Sequence, residues 1–325
     1  MKIPEASIRS QIRGEPSHGG PRIWLLLDGR AGHESQARAV AAALGGSVET
    51  FRLRVPGWLA WLPGRLWPKP PNLVHWEGAH PQPPFPDLII ACGRRTAPVA
   101  AAFRRKADGR TLAVQILGPR MPLTCFDLVI APAHDGLSGP NVMPIDGAPH
   151  DITPALLAEL RAQAGGSADV RRPLVAVVLG RVPSVAMPKL SADLAALAKR
   201  YEATLWICTS RRTDPGVHDL LRRELSGDGH LIAADRAHYL RCLAFADYVL
   251  VGADSVSMTC EAVACGKPVL SMDLGPLPRK LGDFHRRMRE KGVLRQFSGN
   301  LEDFTPHRPD DLGRVVAAIE RLRAG

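Results

Sequence analysis

The 325-residue chain reads as an α/β protein of two domains, each built on a parallel sheet with helices on both faces. Three observations carry this. The length exceeds what one core of ordinary size fills. Short apolar, β-branched runs alternate with Ala- and Leu-rich helical stretches. The alternation stops at a Gly-rich stretch, 165–169, and then starts afresh. The expected organisation is a polar disordered tail (1–21), an N-terminal domain (22–165) and a C-terminal domain (166–325).

In the first half, Arg22 to Leu27 is the opening strand, 28–34 (DGRAGHE) a glycine-bearing turn, and Ser35 to Leu44 a helix. Val48 to Leu53 is the second strand. The stretch Pro56 to Pro86 is rich in Pro and Trp, with Trp58, Trp61, Trp67 and Trp76, and fits neither period. Asp87 to Cys92 is a strand with the turn 93–96 (GRRT) and a helix from Ala97 to Lys106. Leu112 to Ile116 and Phe126 to Ala131 are further strands, the second ending at 132–135 (PAHD). Ile152 to Ala164 reads as a helix, followed by a flexible connector.

In the second half, Leu174 to Leu179 is a strand with Gly180-Arg181 in its turn, and Leu190 to Tyr201 a helix. Thr204 to Thr209 follows, with the turn 210–213 (SRRT). The helix Val217 to Leu225, the strand Leu231 to Ala233 and a helix around Ala237 to Phe245 lead to Tyr248 to Val251. Val315 to Leu322 is a closing helix, for which packing back on the N-terminal domain is left open.

Residues 249–269 are the most informative stretch. The strand ending at Val251 breaks at 252–255 (GADS), and Val256 to Ala264 then reads as a helix before the strand Val269 to Ser271. A strand, a small-residue turn and a helix start with unpaired N–H groups make an anion site. Glu261 follows one to two turns later, placed to meet ribose hydroxyls. An ordinary βαβ unit with a capping Ser and a solvated Glu261 shows the same pattern.

The net charge of +10 calls for an anionic partner. No long basic run, aromatic and basic interleaving or nucleic-acid motif is present, so no nucleic acid is expected. The arginines sit instead beside small residues after strands, where open α/β sheets bind ligands, and their forked donors suit a diphosphate. The six scattered cysteines show no metal spacing and read as reduced core residues of a cytoplasmic protein. There is no P-loop, no three-glycine dinucleotide fingerprint and no G-x-S-x-G elbow.

The motifs 28–36 (DGRAGHESQ), 93–96, 132–135 followed by Pro140-Asn141, 210–213, and 253–258 (ADSVSM) through Gly266-Lys267-Pro268 resemble, in order, those of the mitochondrial-fission Elm-type family. The likeness runs from about residue 22 to 320. Bacterial members are described as glycosyltransferases, which implies a GT-B-like architecture: two Rossmann-like domains with sheets facing across a cleft. It implies a nucleotide-diphosphate sugar as co-substrate, with no metal or other cofactor. Ser255 and Ser257 would meet the phosphates, and Glu261 the ribose. Gly180, Arg181, Ser210, Arg211 and Arg212 would neutralise the leaving diphosphate.

The acceptor, an envelope glycan or lipid-linked molecule, would bind the first domain at Gly32, Arg94 and His134. His33 is the expected base, with Asp28, Glu34, His134 and Asp135 as rivals; Asp28 and Asp135 are counted with it as catalytic candidates. The Trp-rich 57–67 and Arg65 suit peripheral contact at the inner face of a membrane, or simply cover a sheet edge. A non-catalytic fission-type scaffold and a nucleotide-sugar epimerase on the same fold are the alternatives.

Overall fold

The computed structural model describes residues 20–68, 70–164, 170–225 and 230–325. The expected tail, up to residue 19, and the 165–169 connector lie outside the described residues. The chain forms two compact units, one comprising residues through Asp151 with Asp310–Gly325, the other Ile152–Pro309.

The first unit holds seven strands: β1 (Arg22–Leu27), β2 (Ser47–Arg54), β3 (His75–Trp76), β4 (Leu88–Cys92), β5 (Leu112–Ile116), β6 (Leu128–Pro132) and β7 (Val142–Ile145). Their order is β3-β2-β1-β4-β5-β6-β7. All neighbours are parallel except β3, which pairs antiparallel at the edge of β2. Both faces of β1 and β4 are buried, which is why they read as continuous apolar runs. The helices are α1 (Ala31–Leu44), α2 (Gly57–Trp61), α3 (Pro70–Leu73) and α4 (Ala97–Lys106). The Pro- and Trp-rich segment is thus short turns ending in an edge strand.

The second unit repeats the plan with β8 (Leu174–Leu179), β9 (Thr204–Thr209), β10 (Leu231–Ala233), β11 (Tyr248–Gly252), β12 (Val269–Met272) and β13 (Arg295–Gln296), ordered β10-β9-β8-β11-β12-β13 and all parallel. Its helices are α5 (Pro154–Gln163), α6 (Met187–Tyr201), α7 (Pro215–Glu224), α8 (Arg236–Phe245), α9 (Val256–Val263) and α10 (Arg279–Glu290). In each unit the chain starts mid-sheet, runs outward, and returns to the other side of its first strand. The switch points fall between β1 and β4 and between β8 and β11, where such sheets open a crevice at their C-terminal edge.

Three differences from the sequence reading matter. Helix α1 begins at Ala31 rather than Ser35, so Gly32, His33 and Glu34 are helical; the true turn is Asp28–Arg30, closed by the Asp28 carboxylate accepting the Arg30 N–H at 3.3 Å. The units divide after Asp151 instead of near residue 165. Helix α5 belongs to the second, where Leu157 and Leu160 are buried and the Arg161 Nε donates to the Ala244 carbonyl of α8 at 2.5 Å. Helix α10 was not foreseen. The last helix, α11 (Asp311–Ala324), buries Val315 and Ile319 in the first unit's core, and its Asp311 accepts the Asp146 and Gly147 N–H groups.

Candidate functional site

In the second unit, β9, β8 and β11 are neighbours, so the loops leaving them share one edge. Asp254, after β11, ties them together. Its Oδ2 accepts the Arg181 N–H at 2.9 Å and pairs with the Arg212 guanidinium at 3.0 Å. A side chain at Gly180 would overlap the Asp254 carboxylate, which explains the glycine. The Arg212 guanidinium also reaches the Asp254 carbonyl at 3.5 Å, a marginal contact. The Thr213 hydroxyl donates to the Gly180 carbonyl at 2.6 Å and accepts the Ser210 N–H at 2.9 Å, while the Ser210 Oγ accepts the Arg212 N–H at 3.2 Å. Ser210 is therefore engaged in folding its own loop. Arg181 and Arg211 are exposed.

Helix α9 starts on this edge. Ser255 is its N-cap, in extended conformation, with its Oγ toward the Met258 N–H at 3.5 Å. That contact uses an acceptor lone pair, so the Ser255 proton remains to be donated. Ser257 stands half-buried in the first turn. Glu261 lies about 9 Å along the axis from Ser255. Its Cα–Cβ bond tilts back toward the helix start. The Glu261 side chain is one-tenth exposed and pairs at 3.3 Å with Arg236, the first residue of α8. Tyr239 sits against the pair: its ring carries the Arg236 guanidinium 5.2 Å above it, and burial, then the Glu261 charge, pushes its hydroxyl pKa well up. From α10, the buried His285 donates an Nε2–H to the Ala253 carbonyl at 2.9 Å, and burial lowers its pKa so that a neutral imidazole makes the bond.

Asp254, Arg236 and His285 escaped the sequence reading. Their partners are 73, 25 and 32 residues away in the chain, and no local pattern announces such contacts. For His285 a signal existed: Leu281, Phe284, His285 and Met288 recur at helical spacing within a charged stretch.

In the first unit, the end of β1 places Asp28 with its carboxylate all but fully buried, and α1 folds His33 back over it, with Nδ1 at 3.3 Å from both carboxylate oxygens. The His33 ring is one-fifth exposed and rests on Gly93 after β4, at φ +81°. A Cβ at Gly93 would come within 2.5 Å of the imidazole Cε1. Burial raises the Asp28 pKa, but the His33 hydrogen bond and charge, with the Arg30 N–H, outweigh it and hold the carboxyl below its ordinary 3.8. Such a carboxylate fixes the Nδ1–H tautomer and leaves Nε2 as the acceptor.

Glu34 is engaged with Arg52 at 2.9 Å. Gly32 and Arg94 are exposed near this pair, Gly32 in the first turn of α1 and Arg94 after β4. His134 and Asp135 form a single 3-10 turn after β6. They share the edge with His33 but stand three strand spacings from β1, about 14 Å. Among the described residues no group of three or more His, Cys, Asp and Glu side chains is placed to hold a metal ion. No described helix is long and apolar enough to cross a membrane.

A family model described as "Mitochondrial fission ELM1" matches residues 31–322, and the Arabidopsis thaliana protein named mitochondrial fission protein ELM1 is 33% identical over 68% of this chain. The chain belongs to the mitochondrial fission ELM1 family. The matched region spans 59% of the Arabidopsis protein. Another relative is an uncharacterised protein of Rickettsia prowazekii, 26% identical over 91% of this chain and 97% of its own length. Among solved structures, a UDP-GlcNAc 2-epimerase of Methanocaldococcus jannaschii, solved with UDP-GlcNAc and UDP, superposes with a TM-score of 0.55 at 11% identity, covering 93% of this chain and 99% of that one. The Neisseria meningitidis UDP-GlcNAc 2-epimerase bound to UDP-GlcNAc gives 0.50 at 10%, covering 93% and 91%. Likeness at this identity shows the fold: the ELM1-family chain has a GT-B-like architecture of two parallel-sheet units.

Proposed function

We propose that the second unit binds a nucleotide-diphosphate sugar and that the protein transfers the sugar to a hydroxyl of an envelope glycan or lipid-linked acceptor held by the first unit. The observation that carries this is the Asp254 clamp, which gathers Arg181, Arg212 and the start of α9 at one switch point, with the Glu261 carboxylate about two turns on. Oriented N–H groups and guanidinium forks suit a diphosphate, and a carboxylate beyond them suits ribose hydroxyls. The solved neighbours with UDP-GlcNAc bound have the same fold and make this ligand class the first to try.

In the reaction, the acceptor oxygen bonds to the anomeric carbon as the bond from that carbon to the diphosphate oxygen breaks. The acceptor proton passes to His33 Nε2, and the nucleoside diphosphate leaves as an anion stabilised by the arginines and the helix start. Asp28 acts through His33 as a positioning residue, since it is buried beneath the imidazole. His134 and Asp135 are assigned to orienting the acceptor. The charge neutralisation falls to fixed protein groups, and no metal is invoked.

Calorimetric titration with a panel of nucleoside diphosphates and nucleotide sugars tests this. Selective binding is expected, weakened in Glu261→Ala by about 1.5–3 kcal/mol, the loss of a charged hydrogen bond. No binding by any member would overturn the reading in favour of a non-catalytic scaffold of the fission type. Conversion of UDP-GlcNAc with no acceptor present would replace the transferase by an epimerase.

A further inference from the structure

The first unit carries a second basic feature that the nucleotide reading does not use. A pocket of about 210 Å³ has Arg94, Arg95 and Arg120 in its lining together with Trp61, Leu62 and Trp67, and no acidic residue. The Arg95 Nε is buried there with no hydrogen-bond partner among the described residues. Arg120 is presented by a loop whose backbone is left-handed at Leu117 (φ +66°) and at Arg120 itself (φ +54°). L-residues adopt such a conformation only where the surroundings enforce it.

The apolar wall is anchored. Leu59 and Trp67 are buried in the same core as Trp24 and Phe103, and the Trp67 indole N–H donates to the Leu62 carbonyl at 3.1 Å. Gly64 sits so close to Pro98, at the start of α4, that a Cβ would approach its Cγ to 2.8 Å. From this fixed base Trp58 (64% exposed), Trp61 (91%), Leu62 (37%) and Leu66 (55%) project outward. Four large apolar side chains within nine residues, on a seated loop beside three guanidinium groups, are not the scattered hydrophobics of an ordinary surface.

We infer that this face docks on a bilayer, with Trp58, Trp61, Leu62 and Leu66 entering the headgroup region and Arg94, Arg95 and Arg120 holding the phosphate of an anionic lipid. Indole rings favour the membrane–water boundary, and guanidinium forks match phosphate oxygens. Charge complementarity selects a phosphorylated lipid over a neutral apolar partner. The site deepens the acceptor side of the transferase reading, because a lipid-linked acceptor would arrive at this same surface, but vesicle binding is read without turnover or nucleotide.

The experiment is co-sedimentation of the full chain with phosphatidylcholine vesicles, with and without phosphatidic acid. Strong binding is expected only with phosphatidic acid. The triple variant Arg94→Gln/Arg95→Gln/Arg120→Gln should lose on the order of a hundredfold, each basic group near the surface contributing about a factor of five. Trp61→Ser, a change at a side chain that is 91% exposed, should lose on the order of tenfold. A charge-matched control, Arg279→Gln/Arg287→Gln/Arg321→Gln, should lose far less. The nucleotide titration of the first triple variant should match wild type, which separates this result from failure of the donor site.

Equal binding to both vesicles would overturn the phosphate site. An equal loss in the charge-matched control would reduce the effect to net charge. Binding of inorganic phosphate with no vesicle binding would make the pocket a site for a soluble anion. Self-association without vesicle binding would make the face a protein interface.

Discussion

The two switch points solve one packing problem in opposite directions. In the first unit the glycine lies after β4, and the side chain that needs the space, His33, comes from the β1 side. In the second the glycine, Gly180, lies after β8, the strand equivalent to β1, and Asp254 comes across from β11. The first arrangement leaves a partly exposed imidazole over a buried carboxylate, which the proposed reaction uses to take a proton. The second buries most of its carboxylate as a clamp on the Arg181 N–H and the half-exposed Arg212 guanidinium, which the proposed reading uses to hold an anion. On the proposed reading, the same fold, used twice, separates proton handling from charge neutralisation.

The sharpest way to break this contrast is to remove the filling side chain on each side. His33→Ala should lower kcat by about 10²–10⁴-fold, the usual contribution of a general base, with nucleotide-sugar affinity unchanged. Asp254→Ala should do the reverse: it frees Arg181 and Arg212 from their common acceptor, so the titration should weaken while any turnover at saturating donor survives better than in His33→Ala. Equal loss of affinity in both variants would mean that the imidazole belongs to the donor site.

The glycines sharpen the comparison in terms of stability. Gly93→Ala meets both a left-handed backbone and the His33 ring, so a loss of about 2–4 kcal/mol is expected by urea unfolding. Adding His33→Ala should restore only the overlap part. Gly180→Ala meets only the Asp254 carboxylate, at an ordinary φ, and should lose about 1–3 kcal/mol. Adding Asp254→Ala should recover most of the overlap, though it also removes the Asp254 acceptor. A double-mutant cycle measures both couplings; with the overlapping side chain already Ala, Gly93→Ala should still destabilise and Gly180→Ala should not, and equal residual losses would contradict the φ difference between the units.

These contrasts were only partly legible in the sequence. The strand ends and their Gly–Arg turns stood out because fully buried parallel strands are continuous apolar runs, as in 88–92 and 174–179. The start of α9 was visible because Ser255 is a cap type followed by helix-spaced apolar residues. What sequence periodicity cannot show is a contact between loops of non-consecutive strands. Asp254 looked like part of a small-residue turn, although it is the residue that unites three loops. The Arg-bearing loops were rightly placed on the strand ends, but that Asp254 pairs with the guanidinium of Arg212 and holds Arg181 only by its backbone N–H could not be read from the turns themselves. The two-residue β13 and the Pro-containing β7 carry too little pattern to announce themselves, and both owe their pairing to neighbours already in place.

The smallest expected effect isolates the carboxylate under His33. Because the folded structure holds the Asp28 pKa below 3.8, its contribution to stability is fully present above that ordinary value and is lost as pH falls through the lowered folded one. The sign follows from proton counting: in that window the unfolded chain binds the proton and the folded chain does not, so acid favours unfolding. Asp28→Asn removes the linkage. The urea midpoint of the variant should therefore fall less than that of wild type between about pH 5 and about pH 3, while at neutral pH the variant is the less stable of the two. Asn also turns an acceptor-only group into one that can donate, so the imidazole is no longer fixed with its proton on Nδ1. Turnover at neutral pH should drop with donor affinity intact, as in His33→Ala but less far. A variant with wild-type acid sensitivity would show that the buried carboxylate is not the group that titrates, and the unit-one crevice would then have to be explained by packing on Gly93 alone.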